Sequence, residues 1–276
     1  MSPFVSTDWL AERLQSPEIA LVDASWYMPA AQRDPHAEFV ASHLPGAVFF
    51  DIDGIADKTT DLPHMLPEPE DFAHRVGALG IGDAHTIVIY DESGLFSAPR
   101  VWWTFRAMGA RDVRILEGGG PKWRSENRPL ATGEASPRPA VFTPRFRPEL
   151  VRDYDAVLSL SARASGTILD ARPANRFTGE APEPRAGLKS GHIPGSLSMP
   201  STLLTADGRM RSPEELRRIF TEARVDLTQP LVTTCGSGIT ASVLALGLEI
   251  AGAQQVAVYD GSWTEWGGRS DSPVEK

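Results

Sequence analysis

The sequence predicts an α/β protein built from two tandem domains, each a mainly parallel sheet flanked by helices. Three observations predict it. Short apolar runs alternate with stretches of helical periodicity. The whole pattern occurs twice, in the same order. A proline-rich segment separates the two copies.

Taken in order, the first strand of the first copy is Ala20-Leu21-Val22-Asp23-Ala24-Ser25, and its mate is Thr167-Ile168-Leu169-Asp170-Ala171-Arg172. Each is an apolar run ending in Asp-Ala, the pattern of a buried strand that opens into a loop. A His-x-Pro-Gly turn follows in both, at His43 to Gly46 and His192 to Gly195. Thr86-Ile87-Val88-Ile89-Tyr90-Asp91 then pairs with Pro230-Leu231-Val232-Thr233-Thr234-Cys235. Both run into a Ser-Gly turn and a helix-like segment. Val113 to Gly119 pairs with Val256 to Ser262, and Trp123 and Trp266 close the copies. Helical segments are expected at Pro213 to Ala223, with Leu216, Ile219 and Phe220 on one face, and at Ala241 to Ala251. The segment Ala131 to Pro148 carries four prolines, which remove donors and favour extended backbone. The expected organisation is a domain over 1–130, a linker over 131–149 and a domain over 150–276. Parallel sheets of this kind bind ligands beyond the carboxyl ends of their strands.

A net charge of −9 and the lack of a basic stripe exclude nucleic acid as a default partner. The start of the chain has neither a basic region nor an apolar run, so no secretory signal is expected. No stretch reaches the roughly 20 apolar residues of a membrane span. A soluble, cytoplasmic protein is the expectation. The single cysteine, Cys235, can form no internal disulfide and no Cys-rich zinc site. No His and carboxylate spacing suggests a metal. If Cys235 matters, it matters through its reactivity.

Its surroundings are Thr234-Cys235-Gly236-Ser237-Gly238-Ile239-Thr240-Ala241. A strand ends, the cysteine opens a short loop, two glycines permit tight curvature, and an apolar helix begins with Ser237 or Thr240 able to cap it. The loop N–H groups and the helix start both favour an anion over the loop. The thiolate is the nucleophilic form of cysteine. A phosphatase loop would need an arginine six positions after the cysteine, and Ala241 stands there. In the first copy the mate of Cys235 is Asp91, which cannot carry sulfur.

The run Cys235-Gly236-Ser237-Gly238-Ile239-Thr240 resembles the active-site loop of the 3-mercaptopyruvate sulfurtransferases, members of the rhodanese superfamily, which usually have Val where Ile239 stands. The resemblance extends to Asp23–Tyr27, Phe49–Asp53, His64–Pro67, Ser97–Trp103 and Tyr259–Gly261, across nearly the whole chain. It implies two tandem rhodanese-like domains, the first inactive as a sulfur carrier. It implies that Arg176 and Arg185, nine residues apart, hold the carboxylate of a 2-oxo acid. It also implies that Gly236, Gly238, Ile239 and Thr240 line the substrate, and that Ser237, Asp53 and His64 serve the chemistry around Cys235.

On this resemblance, mercaptopyruvate would lie in an interdomain cleft and leave a persulfide on Cys235. A thiol such as reduced thioredoxin, or cyanide, would take that sulfur. No cofactor is expected. A thiosulfate:cyanide sulfurtransferase and a non-catalytic sulfur-relay module are the alternatives. The uncharged Gly236-Ser237 pair disfavours the first, because thiosulfate users usually carry two basic residues after the cysteine. The repeated His43, His192, Asp23 and Asp170 are expected to be structural, as is Arg172.

Overall fold

A computed structural model describes residues 2–162 and 168–276. Thr167, where the sequence pattern starts the second copy's strand, lies outside the described residues. The chain folds as two compact units. One holds the residues up to Asp57, Pro67–Arg147 and Asp207–Arg209. The other holds Lys58–Leu66, Pro148–Ala206 and Met210–Lys276.

The first unit contains β1 (Phe4–Val5), β2 (Ile19–Asp23), β3 (Ala47–Phe49), β4 (Thr86–Tyr90) and β5 (Val113–Leu116), in the spatial order β1-β5-β4-β2-β3. All four pairings are parallel. The second unit contains β6 (Val151–Arg152), β7 (Ile168–Asp170) and β8 (Leu197–Ser198). A small hairpin follows, β9 (Thr205–Ala206) with β10 (Arg209–Met210). β11 (Leu231–Thr234) and β12 (Val256–Tyr259) complete the second sheet, ordered β6-β12-β11-β7-β8 and again wholly parallel. The two orders are the same permutation. The expected fold class is therefore the observed one.

Placing β4 and β11 at the centre of their sheets follows from their residues. Ile87, Val88, Ile89 and Tyr90 are all buried, as are Leu231 to Thr234. Strands covered on both faces read as continuous apolar runs. The consequence for chemistry is direct: Asp91 and Cys235 each follow the carboxyl end of a central strand, where open parallel sheets hold ligands.

The repeated histidine turns are structural in both units. His43 Nδ1 lies 2.8 Å from the Phe39 carbonyl, and its ring stacks on Phe39. His192 Nδ1 lies 2.9 Å from the Phe177 carbonyl, and its ring stacks on Phe177.

The proline-rich segment is extended, as its prolines require, but it is tied down. Ala140 and Arg145 N–H groups donate to the Gly77 and Met108 carbonyls at 2.9 Å each. Phe142 packs edge-on against Phe72 and Phe105. Close approach explains Gly109, where φ is +88° and a Cβ would stand 2.3 Å from the Arg145 carbonyl oxygen. Among the described residues, no helix is long and apolar enough to cross a membrane.

Candidate active site

Cys235 sits at the mouth of β11 with 2% of its surface exposed. Its loop is braced from outside. The Trp263 N–H donates to the Cys235 carbonyl at 2.9 Å, and the Thr264 N–H and hydroxyl both donate to the Gly236 carbonyl, at 2.9 and 2.6 Å. The Ser262 hydroxyl accepts from the Cys235 N–H at 3.2 Å. The Cys235 and Gly236 carbonyls are thus committed to Trp263 and Thr264. The Gly238 N–H lies 3.1 Å from Cys235 Sγ.

Gly238 is the N-cap of the helix Ile239–Ala251 and adopts φ of +84°. Neither Ser237 nor Thr240 caps it, contrary to the expectation from sequence. The left-handed glycine makes the turn through its backbone alone, and no side-chain cap forms. The first N–H groups of a helix have no partner inside it, and Ile239 and Thr240 are the first residues of this one. A helix start of this kind favours a negative charge placed over it.

Arg176 reaches this loop. It belongs to the four-residue helix Ala174–Phe177, and a Cβ on Gly236 would lie 3.4 Å from its Nη2. Its Nε and Nη2 are held by Glu183. Arg185 is half-buried and makes no hydrogen bond or ion pair among the described residues. Its guanidinium is unspent. Arg172 is different: 1% exposed at its side chain, it clamps Asp170 and lies 4.1 Å over the Trp263 ring. The structural role expected for Arg172 and Asp170 is the one seen.

Ser237 is 7% exposed, and its carbonyl lies 3.2 Å from His64 Nδ1. A carbonyl only accepts, so Nδ1 carries a proton in this contact. His64 is buried and holds φ of +64°, a conformation a side chain of this size keeps only when its surroundings fix it. Two residues on, the Leu66 N–H donates to Asp260 at 2.8 Å. Residues Lys58–Leu66 thus belong to the second unit although they precede much of the first in sequence. Asp53 belongs to the first unit, where its Oδ2 accepts from Trp26 Nε1 at 2.9 Å. The structure therefore gathers Cys235, Gly236, Ser237, Gly238, Ile239, Thr240, Arg176 and His64 at one place in the second unit.

Sequence reasoning missed Glu183, Ser262 and Thr264. The acid between Pro182 and Pro184 was a signal, since two prolines fix the backbone around it, but nothing local said which arginines it meets.

The first unit closes its equivalent loop differently. Asp91 is 1% exposed, and its carboxylate accepts from the N–H groups of Ser93, Phe96, Ser97 and Ala98 at 2.8 to 2.9 Å. A tethered carboxylate fills the place that the sulfur holds in the second unit. Burial also pushes the neighbouring Asp23 carboxyl up to about 6, against the hydrogen bonds from Ser25 that pull it down.

Comparison with known proteins agrees with this geometry. Residues 6–126 and 153–269 each match the rhodanese-like domain. The chain is 48% identical over 270 residues to 3-mercaptopyruvate sulfurtransferase of Rattus norvegicus, covering 95% of this chain and 91% of that one. It is 44% identical, with the same coverage, to thiosulfate sulfurtransferase of Rattus norvegicus. The crystal structure of SseA, a 3-mercaptopyruvate sulfotransferase from Escherichia coli, superposes with a TM-score of 0.88. That match has 41% identity and covers 95% of this chain and 99% of the other.

Proposed function

The chain belongs to the rhodanese-like family, and on that footing we propose that it transfers sulfur from 3-mercaptopyruvate through Cys235 and releases pyruvate. The observation that carries the reading is a thiol 3.1 Å from the Gly238 N–H, in a loop whose Gly236 lies against the Arg176 guanidinium. That is a nucleophile and an anion grip at one strand end.

In the proposed reaction the donor carboxylate rests on Arg176 and Arg185, since guanidinium edges match a carboxylate with paired N–H bonds. The Cys235 thiolate attacks the donor sulfur. A sulfur–sulfur bond forms, the carbon–sulfur bond breaks, and its electron pair leaves as pyruvate enolate, which takes a proton. The loop N–H groups of Gly238, Ile239 and Thr240 stabilise the anionic persulfide left on Cys235. His64 and Ser237 serve the proton transfers, and Asp53 is assigned to them by the family resemblance. A thiol such as reduced thioredoxin, or cyanide, then takes the outer sulfur. Two half-reactions through a covalent intermediate give ping-pong kinetics. The first unit, with Asp91 in its loop, carries no sulfur. The cytoplasm, where thiol acceptors are kept reduced, is the proposed compartment.

The test is to mix the protein with 3-mercaptopyruvate and follow pyruvate together with intact mass. Release of pyruvate, a gain of one sulfur atom per chain, and loss of both in Cys235→Ser are expected. No pyruvate, no added sulfur, or full activity in Cys235→Ser would sink the reading. The identity to thiosulfate sulfurtransferase makes thiosulfate the second donor to assay. Faster turnover on thiosulfate than on mercaptopyruvate would reverse the assignment of donor.

A further inference from the structure

We propose that Glu183 is a positioning residue that aims Arg176 at the Cys235 loop and acts on the donor only through it. This rests on the reading that Arg176 grips the donor anion. Arg176 sits on a single turn of helix, and its long side chain has much rotamer freedom to lose. Nothing in that turn directs the guanidinium.

Glu183 supplies the direction. Its side chain is 2% exposed, and it accepts from Arg176 Nε at 3.3 Å and from Arg176 Nη2. This holds the Nε–Nη2 edge of the guanidinium, and Nη2 is the atom that lies against Gly236 of the loop.

Glu183 is itself fixed. Its Oε1 accepts from Arg172 Nη1 at 2.7 Å, and Arg172 is locked by Asp170 at 2.6 to 3.1 Å and by the Gly191 carbonyl at 2.8 Å. Arg172 also lies over the ring of Trp263, whose backbone N–H donates to the Cys235 carbonyl. The chain Asp170, Arg172, Glu183, Arg176 therefore runs from the end of β7 to the loop. Its two carboxylates and two guanidiniums cancel in charge. What Glu183 contributes to Arg176 is orientation.

A double-mutant cycle tests this. Glu183→Ala, Arg176→Ala and the double variant are compared in steady state, by pyruvate release from mercaptopyruvate and by thiocyanate formation from thiosulfate and cyanide. Charged hydrogen bonds of this kind correspond to about tenfold or more in affinity. Glu183→Ala is expected to raise KM about tenfold with kcat within about threefold, the signature of lost binding rather than lost chemistry. The double variant should be no worse than Arg176→Ala, because residues acting through one another do not add.

An unchanged KM in Glu183→Ala, or effects that multiply in the double variant, would overturn the proposal. Should Glu183→Ala fail to fold, Glu183→Gln takes its place in the same cycle, and the same two results would overturn the proposal there. Absence of pyruvate release by the unsubstituted protein would overturn the donor reading alone, and the thiosulfate arm would still decide the role of Glu183.

Discussion

Gly238 joins backbone shape to chemistry within one residue. Its φ of +84° lies in the left-handed region, and its N–H meets the Cys235 sulfur. A side chain there strains the backbone by about 1–2 kcal/mol. Gly238→Ala should lower the unfolding free energy by about that amount, read from a urea midpoint. Turning the N–H away from the sulfur should also slow sulfur loading at least tenfold, since a hydrogen bond to a charged group is worth roughly 1.5–3 kcal/mol. Loading is read by intact mass in a single turnover. Cys235, its two glycines and the Arg176–Arg185 spacing were legible as local motifs. The cap was not, because Ser237 and Thr240 are good capping residues by type, and only the observed φ of Gly238 shows that neither is used.

Among the elements, the helix Pro213–Glu222 shows how much of a boundary is written locally. Ser212 accepts from the Glu215 N–H at 3.3 Å, and Glu215 accepts from the Ser212 N–H at 3.0 Å, a reciprocal capping box. Leu216 and Phe220 bury its apolar face. Ser212→Ala should cost about 1 kcal/mol of stability, with KM for the donor unchanged, because the helix carries none of the site. Thermal unfolding and steady-state kinetics together check this. The segment near Pro137 to Pro148 is the opposite case. Its extended form follows from proline chemistry, yet its docking on Gly77 and Met108 depends on glycines that lie far off in sequence.

Across the full chain, two copies of one sheet order have diverged at matching positions. Asp170 has the Arg172 guanidinium beside it, whereas Asp23 has Ser25 and is pushed up to about 6. The native first unit therefore holds the Asp23 proton up to about pH 6, while an unfolded chain releases it near 3.8. The unfolded state loses its proton first as pH rises, so this group's contribution to stability falls between about pH 4 and pH 6 and is flat above. At roughly 1.4 kcal/mol per unit, the fall is about 3 kcal/mol. Asp23→Asn keeps an acceptor for Ser25 and should abolish that decline, measured as urea midpoints from pH 4 to pH 8. An unchanged pH profile in the variant would refute the assignment to Asp23.

The duplication, the parallel α/β class and the glycine-flanked loop that carries Cys235 can all be read along the chain. Each is written in periodicities and spacings a few residues long. Folding alone brings Lys58–Leu66 into the second unit, sets His64 against Ser237 across 173 positions, and makes Glu183 the tie between Arg172 and Arg176. A buried polar side chain must find its partner wherever folding brings one, and no local pattern records which partner that will be.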